Sequence, residues 1–154
     1  QIKAWQLHND KVVFTNGCFD ILHPGHLQYL QEAKALGHRL VIGLNTDESV
    51  KRQGKADDRP INNQEIRAYM LAALHAVDAI VLFNEDTPLD LINDLDVDVL
   101  VKGADYSANQ SDASQKDYIA GSKEMKAKGS EVKTITFLEG FSTTSFIKRI
   151  REIG

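Results

Sequence analysis

Apolar runs of strand length alternate along this chain with segments of helical periodicity. The strand-like runs are 12–15, 40–44, 79–83, 99–101 and 132–137, and most are continuous rather than alternating, as strands covered on both faces require. Between and after them, residues 25–36, 64–74, 88–95, 119–128 and 143–153 carry helical patterns, with Leu27, Leu30, Ala33 and Leu36 as the inward stripe of the first. Five strand–helix units in sequence predict an α/β fold of three layers, αβα, around a mainly parallel five-stranded sheet. Thr87-Pro88 reads as a helix cap with proline at the first helical position, and Gly129 as a helix stop. In open sheets of this kind ligands sit beyond the carboxyl ends of the strands, so the loops that matter are 16–24, 45–60, 103–117 and 138–142. Residues 107–116, rich in Ser, Asn, Gln and Asp, read as a mobile loop.

The 154 residues, 42% hydrophobic and 26% charged, suit one domain, 1–154, with a single substantial core. Eighteen Lys plus Arg against 22 Asp plus Glu give a formal charge of -4 without long single-sign blocks. That balance argues against nucleic acid as a partner held by the overall field, while leaving room for a local basic pocket. No apolar run approaches the roughly 20 residues of a membrane span and no signal-like segment opens the sequence, so no membrane partner and a cytoplasmic location are expected. Gln1 in place of Met suits a trimmed chain or a domain cut from a longer protein. Cys18 is the only cysteine, which excludes an intrachain disulfide and a four-cysteine zinc site; it reads as a packed loop residue.

The residues richest in chemistry are His23-Pro24-Gly25-His26, where a strand hands over to a helix start. A helix N-terminus carries unpaired N–H groups and roughly half a positive charge, so it favours an anion. Two imidazoles there add donors that can follow charge developing on phosphate oxygens, and Gly25 gives a ligand room to approach the backbone. A structural histidine pair or a zinc site are the other readings of this spacing, although no third ligand is placed by it.

The segment Thr15-Asn16-Gly17-Cys18-Phe19-Asp20-Ile21-Leu22-His23-Pro24-Gly25-His26 resembles the first signature of the cytidylyltransferase-like nucleotidyltransferases, whose HxGH element is shared with class I aminoacyl-tRNA synthetases. Glu139-Gly140-Phe141-Ser142-Thr143-Thr144-Ser145 resembles their late G-x-S-T-T element, with Ser142 as a helix cap. The resemblance implies a Rossmann-like fold and an in-line attack on the α-phosphate of a nucleoside triphosphate, with pyrophosphate leaving. It assigns His23, His26 and Lys51 to catalysis. Thr15, Asn16, Gly17, Phe19, Gly25 and Arg67, the last in the place of an E-x-R arginine, would bind the nucleotide together with Ser142, Thr143 and Thr144. Lys55 stands behind Lys51 on the substrate side, and Asp20 would fix its loop or orient the substrate. The cofactor implied is Mg2+, or another divalent cation, bridging phosphate oxygens, with no metal site built from side chains.

Residues 58–62, 85–88, 101–106 and 119–122 follow in order the pattern of D-glycero-β-D-manno-heptose 1-phosphate adenylyltransferases. That branch implies ATP and a sugar phosphate as partners and transfer of AMP to give ADP-heptose, a precursor of the lipopolysaccharide inner core or of surface glycans. It also implies a homodimer, and either a stand-alone enzyme or the C-terminal half of a kinase–adenylyltransferase. Lys102 and Asp105 would face the sugar phosphate or nucleotide. Three positions depart from the pattern: Phe137 stands where cytidylyltransferases usually carry arginine, Ala104 replaces a second glycine, and the 107–116 loop is longer. Glycerol-3-phosphate cytidylyltransferase and FMN adenylyltransferase-like activities are alternatives within the same chemistry. A nucleotide-binding domain without turnover, or a zinc-binding structural module, would be a different class of protein.

Overall fold

The computed structural model describes residues 1–54 and 58–153. Five strands, β1 (Val12–Gly17), β2 (Arg39–Asn45), β3 (Ala79–Phe83), β4 (Val99–Gly103) and β5 (Glu131–Ile135), form one sheet. The strand order is β3-β2-β1-β4-β5 and every pair is parallel, so the mainly parallel sheet expected from the sequence is parallel throughout. Helices α1 (Ile2–Leu7), α2 (Pro24–Lys34), α3 (Asp47–Arg52), α4 (Gln64–Ala72), α5 (Leu89–Leu95), α6 (Ser122–Ala127) and α7 (Thr143–Ile153) complete the described elements. None of them is long and apolar enough to cross a membrane.

The continuous apolar runs are explained by two cores, one on each face. Val13, Leu40, Ile42, Leu44, Val99 and Val101 turn toward α2 and α4, where Leu30, Ala33 and Leu71 cover them. Val12, Phe14, Val41 and Leu100 turn to the other face, toward Ile92 of α5 and Met125 of α6, with Ile2 and Trp5 of α1 at the margin. Successive strand residues point to opposite faces, so a strand buried on both faces has no polar positions left to alternate. β1 lies at the point where the chain reverses direction across the sheet, with β2 on one side and β4 on the other. A crevice opens beyond its carboxyl end for that topological reason.

Several boundaries differ from the sequence pattern. α1 and α3 were not anticipated; α3 falls inside the expected 45–60 loop. β5 ends at Ile135, because Phe137 leaves the ladder and lays its ring against Gly103 and Tyr29. α6 begins at Ser122 rather than 119, since Gly121 takes a φ of +87° and a Cβ there would sit 2.8 Å from Ile92 Cδ1. Pro88 is itself the cap of α5, with the helix starting at Leu89. The 107–116 segment, expected to be mobile, has its own hydrogen bonds: Asp112 accepts from Ser114, and Ser107 N–H donates to Asp117 at 2.8 Å.

Candidate active site

β1 ends at Gly17, and the chain turns through Cys18–Leu22 before His23 caps α2. His23 is extended (φ -145°, ψ 166°), and its Nδ1 accepts the backbone N–H of His26 at 3.3 Å. This folds the ring back over the helix start and stacks it on His26, with centroids 3.7 Å apart and planes 22° from parallel. Gly25 makes the arrangement possible, because a Cβ there would lie 3.1 Å from the His23 ring. The space that the glycine was expected to leave for a ligand is thus first occupied by the His23 ring.

Burial holds both imidazoles neutral at pH 7. Desolvation, helped by the neighbouring His23, pushes the His26 pKa down to about 4, and desolvation also lowers that of His23. The Nδ1 atom of His26 is buried without a hydrogen-bond partner among the described residues, a costly state that an incoming acceptor would relieve. A pH-dependent stability follows. The unfolded chain protonates His26 near its ordinary value of about 6.5, before the folded protein does, so its contribution to stability is complete above that pH and is lost toward about 4. Melting curves should show wild-type protein losing more Tm between pH 6.5 and 4 than His26→Gln; parallel curves would contradict the assignment.

The late Ser-Thr-Thr segment arrives at the same place. Ser142 caps α7, accepting from Ser145 N–H at 3.0 Å, while Ser142 N–H donates to Ser145 Oγ at 3.2 Å. Thr143 Oγ1 donates to the Ile21 carbonyl at 3.5 Å, tying the helix start to the histidine loop. Phe146 stacks on the outer face of His23 at 6.0 Å and 7°, so His23 is sandwiched between His26 and α7. Two helix N-termini therefore converge on one cavity of about 480 Å³, lined by His26, Phe19, Arg59, Lys102, Thr143 and Thr144 among others. Asn16, Gly17, Asp20, Asp105 and Ser142 also reach its wall. Lys102 Nζ donates to Asn16 Oδ1 at 3.0 Å and lies 4.9 Å from the Tyr106 ring centroid, which fixes a cation at the carboxyl end of β4.

Other expected contacts have different tasks. Arg67 is fully buried and its guanidinium is engaged by the Asn62 carbonyl (3.0 Å), the Cys18 carbonyl (2.8 Å) and Asp47 Oδ1 (2.6 Å). It holds the first signature loop to α3 and α4 and lies outside the cavity wall. Thr15 is wholly buried, with Oγ1 2.7 Å from the Tyr29 hydroxyl, so it braces α2 against β1 rather than facing a ligand. The Asp20 carboxylate accepts from Arg59 and from the backbone N–H groups of Ile61 and Asn62, both at 2.9 Å. It ties its loop to the 61–62 segment, as one of the two expected roles required, and also orients Arg59, a cavity residue to which the sequence pattern gives no role. Lys51 projects exposed from the last turn of α3 and does not line the cavity, whereas Lys55 lies outside the described residues. Phe19 sits at φ +46°, a strained value for a bulky residue, with its ring 5.3 Å from His26 and over Gly17.

Comparison with known proteins shows the family of the chain. Residues 14–149 match the family described as Cytidylyltransferase-like. The chain is 49% identical over 149 residues to the "Bifunctional protein HldE" of Marinomonas sp. (strain MWYL1), covering 97% of this chain and 30% of that protein. It is 51% identical to the protein of the same name from Wolinella succinogenes, over 97% of this chain and 29% of that one. The chain thus spans about 30% of the length of these curated relatives. A solved structure described as the lipopolysaccharide core biosynthesis protein from Thermoplasma volcanium GSS1 is similar with a TM-score of 0.63 and 26% identity, over 84% of this chain and 97% of that one. From the stacked histidines to the capped Ser-Thr-Thr turn, and across 136 of its residues, the chain belongs to the cytidylyltransferase-like family.

Proposed function

We propose that this domain is a nucleotidyltransferase that transfers AMP from ATP to D-glycero-β-D-manno-heptose 1-phosphate, giving ADP-heptose and pyrophosphate. The observation that supports the reading is the convergence of His26 and the α7 N-terminus on one cavity that also holds Lys102 and Arg59, with His23 stacked behind His26 and outside the cavity wall. In the reaction an oxygen of the sugar phosphate bonds to the α-phosphorus while the bond from that phosphorus to the α,β-bridging oxygen breaks, and pyrophosphate departs with the electron pair. A phosphate oxygen is already ionised at neutral pH, so no general base is needed. The imidazoles act by donating N–H groups to phosphate oxygens and by meeting the charge that builds between ground and transition states.

The β- and γ-phosphates would lie at the start of α7, where backbone N–H groups and the helix dipole favour anions. Lys102 and Arg59 would supply fixed positive charge along the path, Arg59 being aimed by Asp20. No group of three His, Cys, Asp or Glu side chains among the described residues is arranged to hold a metal ion, so Mg2+ would be carried by the triphosphate oxygens and would neutralise their charge there. The name of the curated relatives, bifunctional, and the fraction of their length that this chain spans support a partner activity elsewhere in the protein. A sugar kinase is the activity that would supply the 1-phosphate. Pyrophosphate release tests the proposal: ATP with the heptose 1-phosphate should give rapid turnover and CTP with glycerol 3-phosphate should give little, whereas the opposite order would overturn it.

A further inference from the structure

Helix α7 presents its start to the cavity, yet little of it is packed against the rest of the domain. It has 11 residues, as α2 does, but α2 buries Gly25, Tyr29, Leu30 and Ala33 whereas α7 buries none. Ile150 and Ile153 on its apolar side are 63% and 77% exposed. Side-chain contacts fasten it at both ends. At the start, Thr143 Oγ1 reaches the Ile21 carbonyl and Phe146 stacks on His23; at the far end, Arg151 Nη2 donates to Asp58 Oδ2 at 2.6 Å.

The approach to the helix is suited to a hinge. Residues 138–142 are all exposed, and Gly140 takes a φ of +83° with nothing among the described residues within 4 Å of where a Cβ would stand. Rotation there meets no neighbour. Beneath the helix lies a cleft of about 290 Å³, walled by Asp58 and Arg59 on one side and by Thr144, Ile147, Lys148 and Arg151 of α7 on the other. Close-packed interiors leave few voids larger than a water molecule, so this helix has room to tilt. Arg59 and Thr144 line the His26 cavity as well. A tilt of α7 into the cleft therefore changes the spacing of two groups that face a bound polyphosphate.

The far fastening is a weak one. The Arg151 and Asp58 side chains are 69% and 47% exposed, and a pair in that setting contributes little by itself. It matters most on an element with no buried residue, because such elements open at low free energy. A polyphosphate at the start of α7 adds contacts that exist only when the helix is seated, so it shifts the balance toward the seated form. Building on the nucleotidyltransferase reading, we infer that α7 is a strap hinged at Gly140 that closes over the triphosphate, with Arg151 on Asp58 as the positioning pair that seats its far end.

Hydrogen exchange and calorimetry on the 154-residue chain test this. In the free protein the amides of residues 147–153 should exchange about tenfold or more faster than those of residues 28–34 in α2. A non-hydrolysable ATP analogue with Mg2+ should slow them by about tenfold while leaving α6, which does not line the cavity, unchanged. Arg151→Gln should weaken the analogue and raise KM for ATP by about threefold, the range of one exposed ion pair, with kcat within about twofold of wild type. Arg151→Lys should recover most of the affinity. Asp58→Asn should match Arg151→Gln, and the double variant should lose no more than either single one. The pair is exposed, so Tm should stay with the wild type throughout.

Exchange in free α7 as slow as in α2, or an analogue that binds without slowing α7, would overturn the strap. So would an Arg151→Gln protein that binds the analogue as tightly as wild type. Inorganic tripolyphosphate separates the strap from the reaction. If it protects α7 while no nucleotide analogue binds, the strap stands and the proposed reaction fails; if neither ligand protects α7, the strap is refuted.

Discussion

His26→Ala is expected to lower kcat for pyrophosphate release by about 100- to 1000-fold, the loss typical of removing one preorganised donor from a developing oxyanion. Its effect on folding should be small or favourable. His26 contributes a buried, unpartnered Nδ1 and no side-chain hydrogen bond to the helix cap, so removing it deletes an unfavourable burial along with some packing. His23→Ala should show a comparable loss of rate but with an added structural cost. The His23 ring caps α2, and loss of an N-cap costs about 1 kcal/mol. His23→Asn restores a cap without restoring an imidazole, so it should recover Tm and remain slow. A His26→Ala enzyme that turns over at the wild-type rate would remove the histidine pair from the chemistry.

Arg67→Met should cost about 3 kcal/mol of stability, at the low end for breaking a buried pair because Asp47 is only partly buried. For a domain of this size that corresponds to a fall in Tm of about 10 °C. The methionine fills much of the volume but leaves the Asp47 carboxylate and the carbonyls of Cys18 and Asn62 without their donor. Any loss of activity should follow from a loosened 18–20 loop and should be recovered in part at low temperature. The arginine's place in the E-x-R pattern implies the opposite result: a raised KM for ATP with an unchanged melting temperature. Thermal melts and ATP titrations on the same variant decide between the two.

The legible part of this molecule was what depends on local pattern. Continuous apolar runs gave five buried strands, and β3 was read to the residue, because strands packed on both faces leave a dense signal. The strand-to-helix position of His23 and His26 was legible for the same reason. α3 was missed because only Ser49 and Val50 of its six residues are buried, too few for a periodic stripe. The signs it did offer were the Thr46 cap, Asp47 and Glu48 in its first turn, and Lys51 and Arg52 in its last. α1 buries no residue fully and offered even less.

The tasks of individual site residues were legible only where they depended on near neighbours. Ser142 as a cap needs nothing beyond Ser145. Arg67 depends on a carbonyl 49 residues away and Thr15 on the hydroxyl of Tyr29, and a motif that names a residue type carries no information about such partners. A neighbouring pocket of about 400 Å³ is the extreme case, since its wall gathers Asn45 at the end of β2, Gln53 after α3, Asp86 and Thr87 after β3, and Lys116 and Tyr118. No single segment announces it.

Nitrogen-15 spectra of the histidine side chains, recorded across pH with and without a non-hydrolysable ATP analogue and Mg2+, test the central claim most directly. In the free protein His26 should titrate near 4. With the analogue bound, a phosphate beside the ring favours its charged form, and the titration should move up toward neutrality with the Nδ1 or Nε2 resonance shifted by a new hydrogen bond. An analogue that binds while both histidine titrations stay where they were would contradict the account.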